Sequence, residues 1–135
     1  MDDKKVLTLT HIFLVIIGII FLASGIFTFV DPHTMGEALG IAPMNPSGET
    51  EIRATYGGLV VGSGLLVLSG LFHRLMTVAA LAGTFFGAGG LVSTRIVIQA
   101  MDGFTINQGI VAAFELTMVA IAFLLLRAAM KRALV

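Results

Sequence analysis

The sequence predicts an all-α integral membrane protein whose four transmembrane helices form one bundle. Of its 135 residues, 57% are hydrophobic and 12% are charged, whereas a soluble domain carries about 25% charged residues. The mean hydropathy of the chain is +1.02. Because so few polar residues cannot cover a surface exposed to water, we expect the hydrocarbon of a bilayer to solvate most of the chain.

The apolar residues fall into four runs, each long enough to cross about 30 Å of hydrocarbon at about 1.5 Å per helical residue. The fourth run is interrupted only by Glu115. The first run continues through Phe29, beyond the length of a signal sequence, so we expect it to be retained as a span. The runs predict one domain, residues 1–135, with spans at about 6–30, 52–72, 75–100 and 106–127.

The lysine and arginine residues are concentrated on one side of the predicted topology. Four spans place both termini and the connection between the second and third spans on the same side. Six basic residues lie there: Lys4, Lys5, Arg74, Arg127, Lys131 and Arg132. Because cytoplasmic segments carry the excess of Lys and Arg, we expect both termini to be cytoplasmic.

Only the first connection, residues 31–51, is long enough to hold structure of its own. Asp31-Pro32 is a typical helix start, since Asp caps the first turn and Pro suits its first position. Gly40 is a typical helix stop. We therefore expect a short helix in this connection, lying on the outer membrane surface or covering the bundle.

Glycines recur at four-residue spacing in the second and third spans, at Gly58 and Gly62 and again at Gly83 and Gly87. Lipid provides no hydrophobic drive between helices, so helices associate through small residues that let their backbones approach. We expect these four glycines to face other helices of the bundle. A homo-oligomer interface is the alternative.

Charged residues inside the spans are the main functional signal. Each costs about 2.5–3.5 kcal/mol on insertion scales, so it persists where it is paired, hydrated or functional. Arg95 and Glu115 lie in adjacent antiparallel spans, and we expect them to form an ion pair. Neighbouring polar residues extend this pair to a candidate ligand pocket: Arg53, Tyr56, Arg95, Gln99, Gln108 and Glu115. The alternative is an ion pair that only fixes the helix register.

Several classes of chemistry have no support in the sequence. There is no cysteine, and His11, His33 and His73 do not have the spacing of metal ligands, so we expect no metal site. The sequence contains no catalytic motif or nucleotide-binding loop, so we assign no catalytic residue and no cofactor. The net charge is zero, which argues against a nucleic-acid partner.

The segment from Glu51 to Gly64 resembles a motif of small bacterial four-helix membrane proteins. Their family is known as a domain of unknown function, in the DoxX-like neighbourhood. The matching residues are Glu51, Arg53, Tyr56, Gly57, Gly58, Gly62 and Gly64. The resemblance implies the four-span fold and a bacterial inner membrane, but no established activity. DoxX-like relatives include subunits associated with quinone-linked oxidation.

These observations favour a non-enzymatic inner-membrane protein that acts as an accessory subunit or a binding module. Its partners would be membrane lipid and either another membrane protein or a second copy of the chain. The second hypothesis is a small-molecule or lipid binder, or a transporter, that uses the outward-facing Arg/Glu pocket. The third is an enzyme acting on a lipid or quinone, which turnover that depends on Glu115 would support.

The predicted topology can be tested with a reporter that is active only in the periplasm. Because the basic residues favour cytoplasmic termini, a reporter fused after Val135 should be inactive, and one inserted at Gly48 should be active. An active reporter at Val135 together with an inactive reporter at Gly48 would show that the orientation is the opposite of the predicted one.

Overall fold

The computed structural model describes residues 3–133, which form helices and connecting turns without any strand. Five helices follow one another in this part of the chain: α1 (Asp3–Val30), α2 (Pro32–Leu39), α3 (Pro46–Ser69), α4 (Arg74–Asp102) and α5 (Ile106–Ala133). All but α2 are long and apolar enough to cross a membrane. The prediction of an all-helical chain with four such helices and a short helix in the first connection is confirmed.

Local signals start and stop α2 as expected from the sequence. Asp31 caps the helix, because its Oδ1 accepts from the Thr34 N–H at 3.1 Å and its Oδ2 accepts from the Thr34 hydroxyl at 2.7 Å. These hydrogen bonds stabilise the carboxylate and lower the pKa of Asp31. Gly40 follows the helix with φ of 72°, a left-handed conformation that glycine adopts without steric cost.

The long helices expose apolar side chains over most of their surface. Leu91, Ile110 and Leu124 are each more than 60% exposed. In the most apolar window of each long helix, at most 33% of the residues are buried. Contiguous apolar surface of this extent is unfavourable in water and stable in hydrocarbon, so these faces are suited to contact lipid.

Each long helix packs antiparallel to the next long helix along the chain. A Cβ placed on Gly83 of α4 would lie 3.3 Å from Leu66 of α3, and Phe85 of α4 packs against Phe123 of α5 with ring centroids 5.4 Å apart. The start of α1 and the end of α5 therefore lie at the same end of the molecule. We call this the terminal end, and the opposite end, which holds α2, the loop end.

The shared apolar core lies in the half of the molecule nearest the terminal end. All four long helices contribute to it, with α1 supplying Phe13, Leu14 and Ile17 and α3 supplying Val67. Its members are Phe13, Leu14, Ile17, Val67, Ala80, Leu81, Ala88, Met118, Ala122, Leu125 and Leu126. Within the described residues, no residue of α3 before Val67 belongs to this core. The halves of the helices near the loop end are therefore held together mainly by contacts within the pairs α1–α3 and α4–α5.

Two pairs of glycines bring the backbones of α1 and α3 together. Gly18 and Gly25 are seven residues apart on α1, and they lie opposite Gly64 and Gly57 on α3. A Cβ placed on Gly25 would lie 2.8 Å from the Gly57 carbonyl oxygen, and one on Gly64 would lie 2.9 Å from the Leu22 backbone nitrogen. These distances are too short for a side chain, so glycine is required at this helix crossing.

The prediction that Gly58, Gly62, Gly83 and Gly87 face other helices of the chain is largely wrong. A Cβ on Gly62 or Gly87 would meet nothing within 4 Å, one on Gly58 would meet only its own helix, and Gly83 alone approaches a neighbour. Gly62 precedes Gly64 by two residues, which is about 200° around a helix with ~3.6 residues per turn. The face of α3 that contacts α1 is therefore not the face that bears Gly62.

Alanine substitutions on the two faces of α3 should have different effects. Gly64→Ala should lower the free energy of unfolding by about 1–3 kcal/mol, because the new methyl group overlaps Leu22 and the α1 backbone. Gly62→Ala makes the same chemical change in open space and should be neutral or stabilising by up to ~1 kcal/mol. Unfolding of the purified protein in detergent measures both. Equal effects would contradict the assigned packing faces.

Candidate functional site

An ion pair joins α4 to α5 in the half of the molecule nearest the loop end. The Arg95 Nε donates to Glu115 Oε2 at 3.1 Å, and the Arg95 Nη2 donates to Glu115 Oε1 at 3.0 Å. The Arg95 Nη1 donates to Gln108 Oε1. The side chain of Glu115 is 9% exposed and that of Arg95 is 26% exposed. This two-point geometry holds a guanidinium and a carboxylate in one plane, and the predicted contact is present.

The helical spacing of α4 and α5 explains why these polar groups meet. On α4, Val92 lies three residues before Arg95 on the buried side of the helix, and on α5, Ala112 lies three residues before Glu115. Residues three and four apart share one face of an α-helix. The polar residues therefore extend the faces with which α4 and α5 pack against each other, and they point at each other rather than at lipid.

The depth of Glu115 makes its pairing energetically necessary. It is nine residues into α5, which is about 14 Å along the helix axis at ~1.5 Å per residue. A lone carboxylate at this depth would be exposed to hydrocarbon or forced to bind a proton. Two hydrogen bonds from the Arg95 guanidinium offset much of the free-energy cost of burying the charged carboxylate. Replacing Arg95 or Glu115 alone would therefore leave the other charge unpaired.

Gln99 adds an unused hydrogen-bond acceptor near the Arg95–Glu115 ion pair. It lies one turn from Arg95 on α4, towards the loop end. Its Oε1 is buried and accepts no hydrogen bond from the described residues. A buried acceptor without a donor costs roughly 1–3 kcal/mol. We define the loop-end cluster as Arg95, Gln99, Gln108 and Glu115.

A second polar group, on α3, contacts α1 instead of the loop-end cluster. The Arg53 Nη2 donates to Glu49 Oε1 at 2.7 Å, and the Arg53 Nη1 donates to the Phe29 carbonyl oxygen at 2.6 Å. The Phe29 ring lies 5.9 Å from the guanidinium carbon. His33 Nε2 lies 3.7 Å from Glu49 Oε2. Arg53 therefore ties the start of α3 to a carbonyl at the end of α1, where the last turn of a helix leaves acceptors free.

The six-residue pocket predicted from the sequence is thus divided between two sites. No described hydrogen bond or ion pair connects Arg53 or Tyr56 to the loop-end cluster. Tyr56 is 41% exposed and makes no hydrogen bond to the described residues. Arg53 and Tyr56 are three residues apart and would share a face of a regular α-helix, but residues Arg53–Gly58 form a π-helix. Bonding from residue i to i+5 widens the turn, so each residue advances less around the axis and Tyr56 leaves the face of Arg53.

Some of the functional geometry could not be found from spacing alone. The link from Arg53 to the Phe29 carbonyl uses a backbone atom, which no side-chain pattern marks. The pairing of Gly18 and Gly25 with Gly64 and Gly57 did have a signal, since both helices repeat glycine at seven residues. Among residues 3–133, no three His, Asp or Glu side chains lie close enough to hold a metal ion.

Comparison with known proteins identifies a family for most of the chain. Residues 9–126 match a family model described as "Domain of unknown function (DUF4345)". Comparisons with curated proteins and with solved structures found no match. The matched range contains both polar groups and the glycine pairs of α1 and α3. It agrees with the resemblance of segment 51–64 to a family of unknown function, whereas the DoxX-like relation and a bacterial source stay predictions.

Substitutions at the ion pair should show strong coupling. Arg95→Met or Glu115→Leu alone should each lower the free energy of unfolding by about 3 kcal/mol, because each leaves one charge unpaired. The double substitution should cost much less than the sum, since it removes both charges together.

The control is Arg127→Met, which removes an exposed cation at the other end of α5 whose guanidinium carbon lies 5.6 Å from the Phe123 ring; the loss should change stability by less than about 1 kcal/mol. A double-mutant cycle in detergent measures the coupling. Additive single effects would show that the two charges do not stabilise each other.

Proposed function

The chain belongs to the DUF4345 family, and we propose that it is a non-enzymatic binding module of the bacterial inner membrane. In this proposal its four long helices form a bundle with both termini in the cytoplasm, and the loop-end cluster binds a small molecule or lipid from the outer half of the bilayer. The observation that supports binding most directly is the buried, unused acceptor of Gln99 beside a guanidinium that is already neutralised.

The hydrogen-bonding capacity of the cluster indicates which ligand group it would accept. A guanidinium has five N–H donors, and the three described bonds of Arg95 leave two unused. Gln99 supplies an unused acceptor one helical turn from Arg95. The carboxylate of Glu115 already balances the charge of Arg95. An uncharged group that both donates and accepts hydrogen bonds, such as a hydroxyl or an amide on an apolar molecule, fits this set best.

A buried polar cluster in an apolar span is a functional candidate because hydrocarbon makes it costly to retain. An ion pair that only fixes helix register would need Arg95 and Glu115, which satisfy each other. It would not need an acceptor at Gln99. The unused acceptor is what favours a ligand site over a structural pair.

A second role, as an accessory subunit, is supported by a different surface. Gly62 of α3 and Gly87 of α4 have open space where a Cβ would lie. Small residues on a lipid-facing surface allow another helix to approach closely. A membrane-protein partner or a second copy of the chain at this surface would bury them, and Gly62→Leu should then disrupt the complex without unfolding the chain.

Native mass spectrometry of the protein extracted in mild detergent tests the binding role. The wild-type chain should retain an uncharged amphiphile with a hydroxyl or amide group. Gln99→Leu should lose it, because the variant removes the acceptor while the Arg95–Glu115 pair remains. Ser93→Ala is the matched control, because the exposed Ser93 hydroxyl bonds only to its own helix.

The stability of the Gln99→Leu variant provides an independent reading. Removing an unsatisfied buried acceptor should leave the free energy of unfolding unchanged or raise it. Retention of the same molecule by wild type and by Gln99→Leu, or no retained molecule in either, would refute the binding role.

A further inference from the structure

A cavity lies at the terminal end, remote from the loop-end cluster. It has a volume of about 460 Å³, is open on one side and is lined by the first turns of α1, the turn between α3 and α4, the start of α4 and one residue of α5. This volume is in the range of about 300–1,000 Å³ that is usual for small-molecule sites. Neither the ion pair nor the α1–α3 glycine contacts involve it.

The lining of this cavity is divided into a basic part and an apolar part. His11, His73 and Arg74 supply the nitrogen groups, and none of the described residues that line the cavity carries a carboxylate. Leu7 and Phe72 belong to its apolar wall. The side chain of Arg74 makes no ion pair with the described carboxylates. A cavity with this lining is complementary to a negatively charged group attached to an apolar one.

The basic groups are held in place by the turn between α3 and α4. The His73 Nδ1 accepts from the Leu75 N–H at 3.2 Å, so in the neutral ring the proton is on Nε2, which remains a donor. The Thr77 hydroxyl donates to the Gly70 carbonyl oxygen at 2.6 Å, and this hydrogen bond connects the turn to the first turn of α4. His73 and Arg74 are adjacent residues between these two hydrogen-bonded positions.

The position of the cavity along the helices matches the headgroup region of a bilayer. Val6 begins the apolar run of α1 and also lines the cavity, and the basic residues follow the apolar run of α3 at the same level. Phe72, in the same wall, is 86% exposed. An apolar wall at the edge of the hydrocarbon and a basic group just beyond it match the two parts of a phospholipid.

We propose that this cavity binds an anionic phospholipid, with the phosphate at Arg74, His73 and His11 and the first acyl carbons along Leu7 and Phe72. A planar guanidinium recognises phosphate oxygens with two parallel hydrogen bonds, and an imidazole Nε2–H adds a third donor. The site is independent of the loop-end cluster, which is adapted to an uncharged group at the other end of the helices.

The chain contains no tryptophan, so a single substitution introduces a fluorescent reporter. Phe72→Trp places it in the cavity wall, and Phe86→Trp places it on an exposed surface of α4 outside the cavity. Each full-length variant is titrated in detergent with phosphatidylglycerol that carries brominated acyl chains, which quench nearby tryptophan. The Phe72→Trp protein should reach half-quenching at a lipid concentration at least tenfold lower than the Phe86→Trp protein.

Combining Phe72→Trp with Arg74→Gln should remove that tenfold difference, whereas combining it with Arg127→Gln should preserve it. Arg127 is a matched control, because it is an exposed arginine that does not line the cavity. Thermal unfolding checks that the variants fold. If Arg74→Gln prevents folding, competition by unbrominated phosphatidylglycerol against unbrominated phosphatidylcholine on the Phe72→Trp protein provides the same comparison.

Four outcomes would overturn the proposal. Equal quenching of the two reporters would show that no lipid site exists at the cavity. Equal loss with Arg127→Gln would show only diffuse attraction to positive charge. Equal half-quenching by brominated phosphatidylcholine would exclude recognition of the anionic headgroup. Reversal of the quenching by millimolar inorganic phosphate would assign the cavity to a soluble phosphate compound.

Discussion

In a bilayer, neighbouring helices gain little by hiding apolar side chains from a solvent that is equally apolar, and the rest of this structure depends on that constraint. Two kinds of contact remain effective: close van der Waals packing, which is tightest where backbones touch, and hydrogen bonds between polar groups. The chain uses one of them in each helix pair. In α1–α3, the four glycines of the crossing bring carbonyl oxygens of one helix against the other. In α4–α5, the contact near the loop end is an ion pair with two hydrogen bonds.

The two pairs are joined in the half of the molecule nearest the terminal end, where the shared core lies. The two ends of the helices therefore have different roles. Tight apolar packing at one end holds the four helices together, and the loop-end half can therefore carry polar side chains without being the main source of stability. The ring contact between Phe85 and Phe123 belongs to this packed half. Phe85 lies on α4 between the core residues Leu81 and Ala88, ten residues before Arg95.

The features that were predictable from the sequence depend on short-range chemistry. Hydropathy located the four long helices, the Asp31-Pro32 and Gly40 signals bounded α2, and the cost of buried charge predicted the contact between Arg95 and Glu115. Features that depend on helix rotation were not predictable in the same way. The faces of Gly58, Gly62 and Gly87 were misjudged because four-residue spacing marks a face without identifying its neighbour. The π-helix at Arg53–Gly58 was not predictable either, because no residue pattern in this segment marks a departure from α-helical hydrogen bonding.

The π-helix of α3 limits how the length of this segment can vary. A π-turn is equivalent to one residue inserted into an α-helix. On one side of the insertion Arg53 reaches the Phe29 carbonyl, and on the other side Gly64 meets the backbone at Leu22. Deleting one residue between them would restore a regular α-helix and rotate one contact by about 100° relative to the other. A sequence that keeps both contacts with α1 must therefore keep the number of residues between Arg53 and Gly64, whatever their identity, and gaps in an alignment of related chains belong outside this interval.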